Sequence, residues 1–143
     1  MSECRSPVGA AFFKTWPGSN YLAYHDMKLK VGIIDDEQHA IDTLKYDILD
    51  LYGDEVEIVF TETNPYEGVL AARRTLPDIL FLDIVMPGMS GLEISDLLAD
   101  LDIRVVFITA HAEFLLKAKK KPNAWCYLSK PVMSDELGGV FVR

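Results

Sequence analysis

The chain has 143 residues, half of them apolar, which fits one domain of about 100–200 residues with a single core and argues against long disorder. Its 22 acidic residues outnumber 14 basic ones, for a net charge of -8 at pH 7, which disfavours direct binding of nucleic acid and suits cations or basic partner patches. Val8 to Phe13 is too short for a secretory core, and no apolar run approaches the roughly 18 residues of a membrane span, so a cytoplasmic protein is expected.

Residues 1–27 hold Pro7, Gly9, Pro17 and Gly18 without sustained periodicity. They read as a flexible extension ahead of a domain at 28–143, although Phe12, Phe13, Trp16, Tyr21 and Tyr24 are more aromatic than a plain tail. Cys4 and Cys126 lie far apart, match neither a disulfide framework nor a metal spacing, and are expected as free thiols.

Leu29 to Ile34 is a short apolar run ending in Asp35-Asp36, the mark of a buried strand. Ile41, Leu44, Ile48 and Leu51 then recur at helical spacing, and Gly53 supplies a stop. Val56 to Phe60 is the second strand. Asn64-Pro65 predicts an N-cap with proline at the first helical position, and Val69, Leu70, Ala72 and Leu76 form that helix's apolar side. Asp78 to Leu82 is a third strand closing on Asp83. Ser90-Gly91-Leu92-Glu93 spells a capping box before a helix with Ile94, Leu97, Leu98 and Leu101 on one face. Arg104 to Ile108 is the fourth strand, ending at Thr109. Ala112 to Lys121 reads as a helix stopped by Pro122, Trp125 to Leu128 as the last strand, and Ser134 as the cap of a short final helix. Lys117, Lys119, Lys120 and Lys121 read as a solvated helix end that complements the helix dipole. The three histidines, His25, His39 and His111, read as surface or helix residues rather than ligands.

Strand and helix thus alternate five times, which predicts an α/β fold: a doubly wound five-stranded parallel sheet with helices on both faces. In such sheets the ligand site lies beyond the carboxyl ends of the strands. That rule gathers Asp35, Asp36, Asp83, Thr109 and Lys130. Each of these residues alone is ordinary, an acid as a turn or cap residue and Lys130 as an exposed lysine; the five together are not. Three converging carboxylates repel and raise one another's pKa, and a divalent cation relieves the repulsion. An all-oxygen set favours a hard ion, Mg2+. Lys130 as a compact cation and Thr109 as a donor suit phosphoryl oxygens, and Asp83, alone at its strand end, is the candidate nucleophile.

These stretches resemble the receiver domain of two-component response regulators. The resemblance rests on Val31 to Glu37, Asp78 to Gly91 (DILFLDIVMPGMSG), Val105 to Ala110 (VVFITA) and Tyr127 to Pro131, and spans roughly Lys28 to Leu137. It implies a flavodoxin-like strand order 2-1-3-4-5. It implies phosphorylation of Asp83 by a sensor histidine kinase or phosphotransfer protein, and Mg2+ held by Asp35, Asp36, Asp83 and the backbone carbonyl of Val85. Thr109 and Lys130 would contact the phosphoryl group. Tyr127 would be the switch aromatic, turning inward as Thr109 moves, and a second copy would be a dimer partner through a face built partly from the last helix. Phe107 to Phe114 looks most like receivers fused to LytTR-type DNA-binding domains, and no such domain is present in this sequence. Within the acidic pair, Asp36 is expected to ligate the ion directly and Asp35 through water.

Two departures stand out. Cys126 occupies a position where the family usually has Asp or Gly, and Gly138-Gly139 weaken the final helix. Two other readings compete. A magnesium-dependent phosphatase with an aspartyl nucleophile would share the architecture, but enzymes of the haloacid dehalogenase type carry a second Asp two residues after the nucleophile, where this chain has Val85. A non-phosphorylated interaction module would not need all five residues.

Overall fold

The computed structural model describes residues 3–4 and 28–141. In chain order the elements are β1 (Glu3–Cys4), β2 (Leu29–Ile34), α1 (Gln38–Tyr52), β3 (Val56–Glu62), α2 (Pro65–Thr75), β4 (Ile79–Asp83) and α3 (Gly91–Leu97). Then come β5 (Arg104–Thr109), a 3-10 turn (Ala112–Phe114) running into α4 (Leu115–Ala118), β6 (Ala124–Ser129), a second 3-10 turn (Ser134–Glu136) and α5 (Leu137–Phe141).

Strands β2 to β6 are mutually parallel, in the order β3-β2-β4-β5-β6. This is the 2-1-3-4-5 arrangement. β4 is central, and all five of its residues are buried. Alternation along the strands divides the core. Val31, Ile33, Phe81, Val106 and Leu128 face α1 and α5, whose Ile41, Leu44, Ile48, Leu137, Val140 and Phe141 complete one apolar cluster. Ile34, Leu80, Leu82, Phe107 and Tyr127 face the other side with Ala72, Ile94, Leu98 and Ala118 of α2, α3 and α4 or their margins.

The expected caps form. The Asn64 side chain accepts the Tyr66 and Glu67 backbone N–H groups at 2.9 and 3.1 Å, with Pro65 opening α2. Ser90 and Glu93 make a reciprocal capping box at α3. The helix faces are narrower than the leucine spacing suggested. Leu51, Leu70, Leu76 and Leu97 are each about half exposed. In α2 the packing falls to Gly68, Ala71 and Ala72, because a Cβ at Gly68 would sit 2.7 Å from Ile34 Cδ1. In α3 a buried polar pair takes an apolar place: Ser95 Oγ donates to Asn123 Oδ1 at 2.6 Å, and Asn123 Nδ2 returns a bond to the Ser95 carbonyl at 3.0 Å.

Three expectations are corrected. The helix expected over Ala112 to Lys121 is a 3-10 turn followed by four helical residues. His111 provides no side-chain cap, and three successive lysines before Pro122 do not sustain further turns. The final helix begins one 3-10 turn after Ser134, where Glu136 Oε1 accepts the Met133 N–H at 3.0 Å in place of a serine cap. Gly138 and Gly139 are nonetheless helical, between the buried Leu137 and Val140.

The third correction concerns the cysteines. Glu3–Cys4 is a strand, antiparallel to β6 and sixth in the sheet, with Glu3 opposite Tyr127 and Cys4 opposite Cys126. The two cysteines are joined as a disulfide across a sequence separation of 122. Sequence distance hid a proximity that only the sheet edge creates. Residues 5–27 lie outside the described residues. Among the described residues, no helix is long and apolar enough to cross a membrane.

Candidate acidic site at the strand ends

The carboxyl ends of β2, β4, β5 and β6 form one rim. Asp35 follows β2, its backbone N–H held by the Glu62 carbonyl at 3.1 Å. Asp83 ends β4 and pairs in register with Ile108. Thr109 ends β5, and its carbonyl accepts the Lys130 N–H at 2.9 Å, which draws the segment after β6 against the same rim. The Lys130-Pro131 peptide is cis. Asp35, Asp83 and Thr109 are all buried.

Lys130 links two of the acids. Its Nζ lies 2.9 Å from Asp35 Oδ2 and 3.5 Å from Asp83 Oδ2. Burial works against the ammonium, but the Asp35 hydrogen bond and the fields of Asp83, Asp35 and Glu37 outweigh it and hold the Lys130 pKa above its ordinary value. Asp83 moves in the unusual direction for an acid beside a lysine. Its pKa is pushed up to about 7, first by burial and then by repulsion from Asp35. Lys130 pulls it down, while the hydrogen bond that the protonated Asp83 donates to Asp36, and the Asp36 charge, push it further up. The rim therefore carries more negative charge than Lys130 neutralises.

Asp35, Asp36 and Glu37 can bring one carboxylate oxygen each within 4.8 Å of one another. Asp35 Oδ1 also accepts the Glu37 N–H at 2.9 Å, which turns the chain after Ile34 and lets two successive acids face one point. Asp35 is buried while Asp36 and Glu37 are exposed. Glu37 was not among the expected ligands; the run Asp35-Asp36-Glu37 was its only signal. The donor set is all oxygen, and with the raised Asp83 carboxyl it fits a hard divalent cation.

The remaining expected residues are placed as follows. The Thr109 hydroxyl accepts the His111 N–H at 3.0 Å, which leaves its own proton available for donation. Tyr127 is already inside the second apolar cluster, only 6% exposed, with Lys119 Nζ 5.7 Å from its ring centroid. Val85 lies in the loop after Asp83 with its side chain 43% exposed.

Two contacts position that loop and were not expected. Gly91 opens α3 directly against β4: a Cβ there would collide with the Asp83 carbonyl, and the Gly91 N–H donates to the Ile84 carbonyl at 2.8 Å. Tyr66 of α2 donates its hydroxyl to the Gly88 carbonyl at 3.3 Å, where Gly88 has φ 89°. A cleft of about 390 Å³ adjoins the rim between α1 and the loop after β6, lined by His39, Leu44, Lys130, Pro131 and Val132 among others.

Comparison with known proteins places this geometry. A family model described as the response regulator receiver domain matches residues 31–140. The transcriptional regulatory protein BtsR of Escherichia coli K12 is 41% identical over 117 residues, covering 80% of this chain and 47% of that protein. NatR of Bacillus subtilis, also a transcriptional regulatory protein, is 34% identical over 117 residues, 80% of this chain and 49% of its own. The chain thus spans about half the length of the curated relatives it matches. Among solved structures, a CheX-CheY-BeF3-Mg complex from Borrelia burgdorferi superposes with a TM-score of 0.71 at 26% identity, over 88% of this chain and 97% of that one. The REC domain of AraT from Geobacillus stearothermophilus gives 0.71 at 27% identity, over 80% and 90%.

Proposed function

Because this chain belongs to the response regulator receiver domain family, we propose that it accepts a phosphoryl group on Asp83 from a histidine kinase or phosphotransfer protein, with Mg2+, and so switches a partner-binding face. The observation that carries this reading is the Asp83 carboxyl, buried at the end of β4, crowded by Asp35 and raised to about 7 despite Lys130. A group in that state is a nucleophile awaiting a cation.

Asp36, Asp83 and the Val85 carbonyl would hold the ion, Asp35 through water, with Glu37 as a further acid at the rim. Mg2+ would screen the carboxylates and the phosphoryl oxygens from one another. This chain's residues do the rest. An Asp83 carboxylate oxygen attacks phosphorus and the donor's imidazole or carboxylate leaves. Lys130, poised between Asp35 and Asp83, shifts its charge to a phosphoryl oxygen. The Thr109 hydroxyl donates to another. The cleft beside Lys130 lies where the donor protein would approach. The chain acts as a phosphoacceptor and not as a turnover enzyme. It works in the cytoplasm, needs neither membrane nor direct nucleic-acid contact, and comprises a receiver unit over 28–143 behind an extension at 1–27. A second copy would pair through the face that includes α5.

Acetyl phosphate with Mg2+ tests this. The expected product is one acid-stable, base-labile phosphate per chain by intact mass. Continuous phosphate release from a phosphomonoester would instead support the phosphatase reading, and no uptake would support a bare interaction module. Asp36→Ala is expected to weaken Mg2+ about tenfold or more in a calorimetric titration, the usual scale for disturbing a metal's immediate surroundings. Unchanged affinity would remove Asp36 from the ligand set.

The switch itself rests on Thr109 and Tyr127. The phosphoryl group would draw the Thr109 hydroxyl toward it and so bias the arrangements open to the Tyr127 ring. Thr109→Ala should therefore still take up phosphate, while beryllofluoride no longer changes the NMR signals of Tyr127 and α4. Equal responses in the parent chain and Thr109→Ala would sever that link.

A further inference from the structure

Cys4 and Cys126 face each other across the β1–β6 pair and are bonded. We propose that they form a reversible thiol–disulfide site, reduced by a dithiol, whose state decides whether Glu3–Cys4 covers the outer edge of β6.

The strand pairing itself is slight. β6 would be the edge of the parallel sheet, and β1 extends it by two residues. Even a full isolated hairpin is marginally stable in water, so two residue pairs do not hold a strand in place. Among the described residues the bridge is the covalent tie that holds β1, and cutting it frees the pair to open and expose the backbone groups of the β6 edge.

The two sulfurs differ in access. Cys126 has no exposure, while Cys4 is only half-buried, its sulfur beside Gly139 of α5. A thiolate of the dithiol therefore attacks Cys4 Sγ. The S–S bond breaks, and Cys126 leaves as thiolate and takes up a proton. The second thiol of the reductant, deprotonated, attacks the mixed disulfide and releases Cys4, which is protonated in turn. Two electrons and two protons pass from the dithiol, which ends as a disulfide.

The location gives the site its consequence. Glu3 pairs with Tyr127, and Cys126 precedes Tyr127 on the strand that leads to Lys130. Oxidation thus fixes the strand that carries the aromatic of the proposed switch. In a reducing compartment, disulfides are characteristically transient and redox-sensing; the reversibility rests on the cytoplasmic reading above, whereas the latch itself does not depend on Asp83 chemistry.

The test is hydrogen exchange on the full chain, oxidised, reduced with dithiothreitol, and as Cys4→Ser. Reduction is expected to make both thiols alkylatable and to speed exchange of edge amides within residues 124–129 about tenfold or more, as for a locally opened edge. Reoxidation should restore protection. Cys4→Ser should exchange quickly under both conditions, with β4 amides unchanged throughout. Equal exchange over 124–129 in oxidised and reduced chain would overturn the latch, and so would two free thiols in chain equilibrated with glutathione disulfide. Phosphate uptake is not read in this experiment, so failure of the phosphoacceptor reading would show separately.

Discussion

Asp83→Ala is expected to take up no phosphate from acetyl phosphate in the presence of Mg2+, a loss of about 10³-fold or more in labelling rate, as when a covalent nucleophile is removed. Other carboxylates crowd the same rim, so the loss is a real test of which one attacks. Asp35 is occupied by Lys130 at 2.9 Å and by the Glu37 N–H at 2.9 Å. Asp36 and Glu37 are exposed. Asp83 alone combines burial, a lysine at 3.5 Å and a raised pKa. Folding should not be the reason for the loss, since the substitution removes an incompletely neutralised buried charge. Intact-mass analysis after a fixed incubation reads the result. Full labelling of Asp83→Ala at the parent rate would move the acceptor elsewhere on the rim.

The second large effect is on stability, and it is a gain. In the metal-free chain the Asp83 pKa is about 7, against an ordinary 3.8. Between those values the folded chain binds a proton that the unfolded chain has released. Stability from this group therefore falls as pH rises through that window, and its penalty is complete above about 7. A displacement from 3.8 to about 7 corresponds to about 4 kcal/mol. The coupling to Asp35 and Lys130 shares that among several groups, so Asp83→Asn should gain about 1–3 kcal/mol at pH 8 without metal. At pH 5, nearer the ordinary value, the gain should fall to less than half its size at pH 8, and it should vanish only below about 3.8. Mg2+ should narrow the gap at pH 8, because the ion relieves the same repulsion in the parent. Urea unfolding with EDTA at the two pH values measures this. A gain of equal size at both would rule out charge as its cause.

Much of this was legible in the sequence because the signals were local. The apolar runs of β2, β4 and β5, the Asn64 and Ser90 caps, and the acids that close the strands are all statements about neighbouring residues, and the parallel sheet follows from them. What the sequence concealed depended on distant partners. The exposure of Leu70 and Leu97 reflects a choice by Gly68, Ala72 and Ser95 to pack instead, which only Ile34 and Asn123 explain. The Cys4–Cys126 bond needs the edge of a sheet to bring its ends together. Tyr66 reaches the Gly88 carbonyl from another helix, with no sequence spacing to announce it. At the rim, residue types were readable but the balance of charge was not: that Lys130 leans toward Asp35, leaving Asp83 short of a counter-charge, is a matter of tenths of an ångström.

The brevity of α4 sets the scale of signal the molecule has to generate. One turn of 3-10 helix and four α-helical residues, entered without a side-chain cap, represent few backbone bonds to exchange. Reversing a two-state population from 1:99 to 99:1 takes about 5.5 kcal/mol of preferential binding, beyond what a single new hydrogen bond at Thr109 supplies. A surface poised nearer to balance needs only a fraction of that. On the proposed phosphoacceptor reading, such a surface would respond in a graded way, its occupancy following the level of phosphate on Asp83, and a fraction of molecules would stand in the active arrangement before any stimulus arrives.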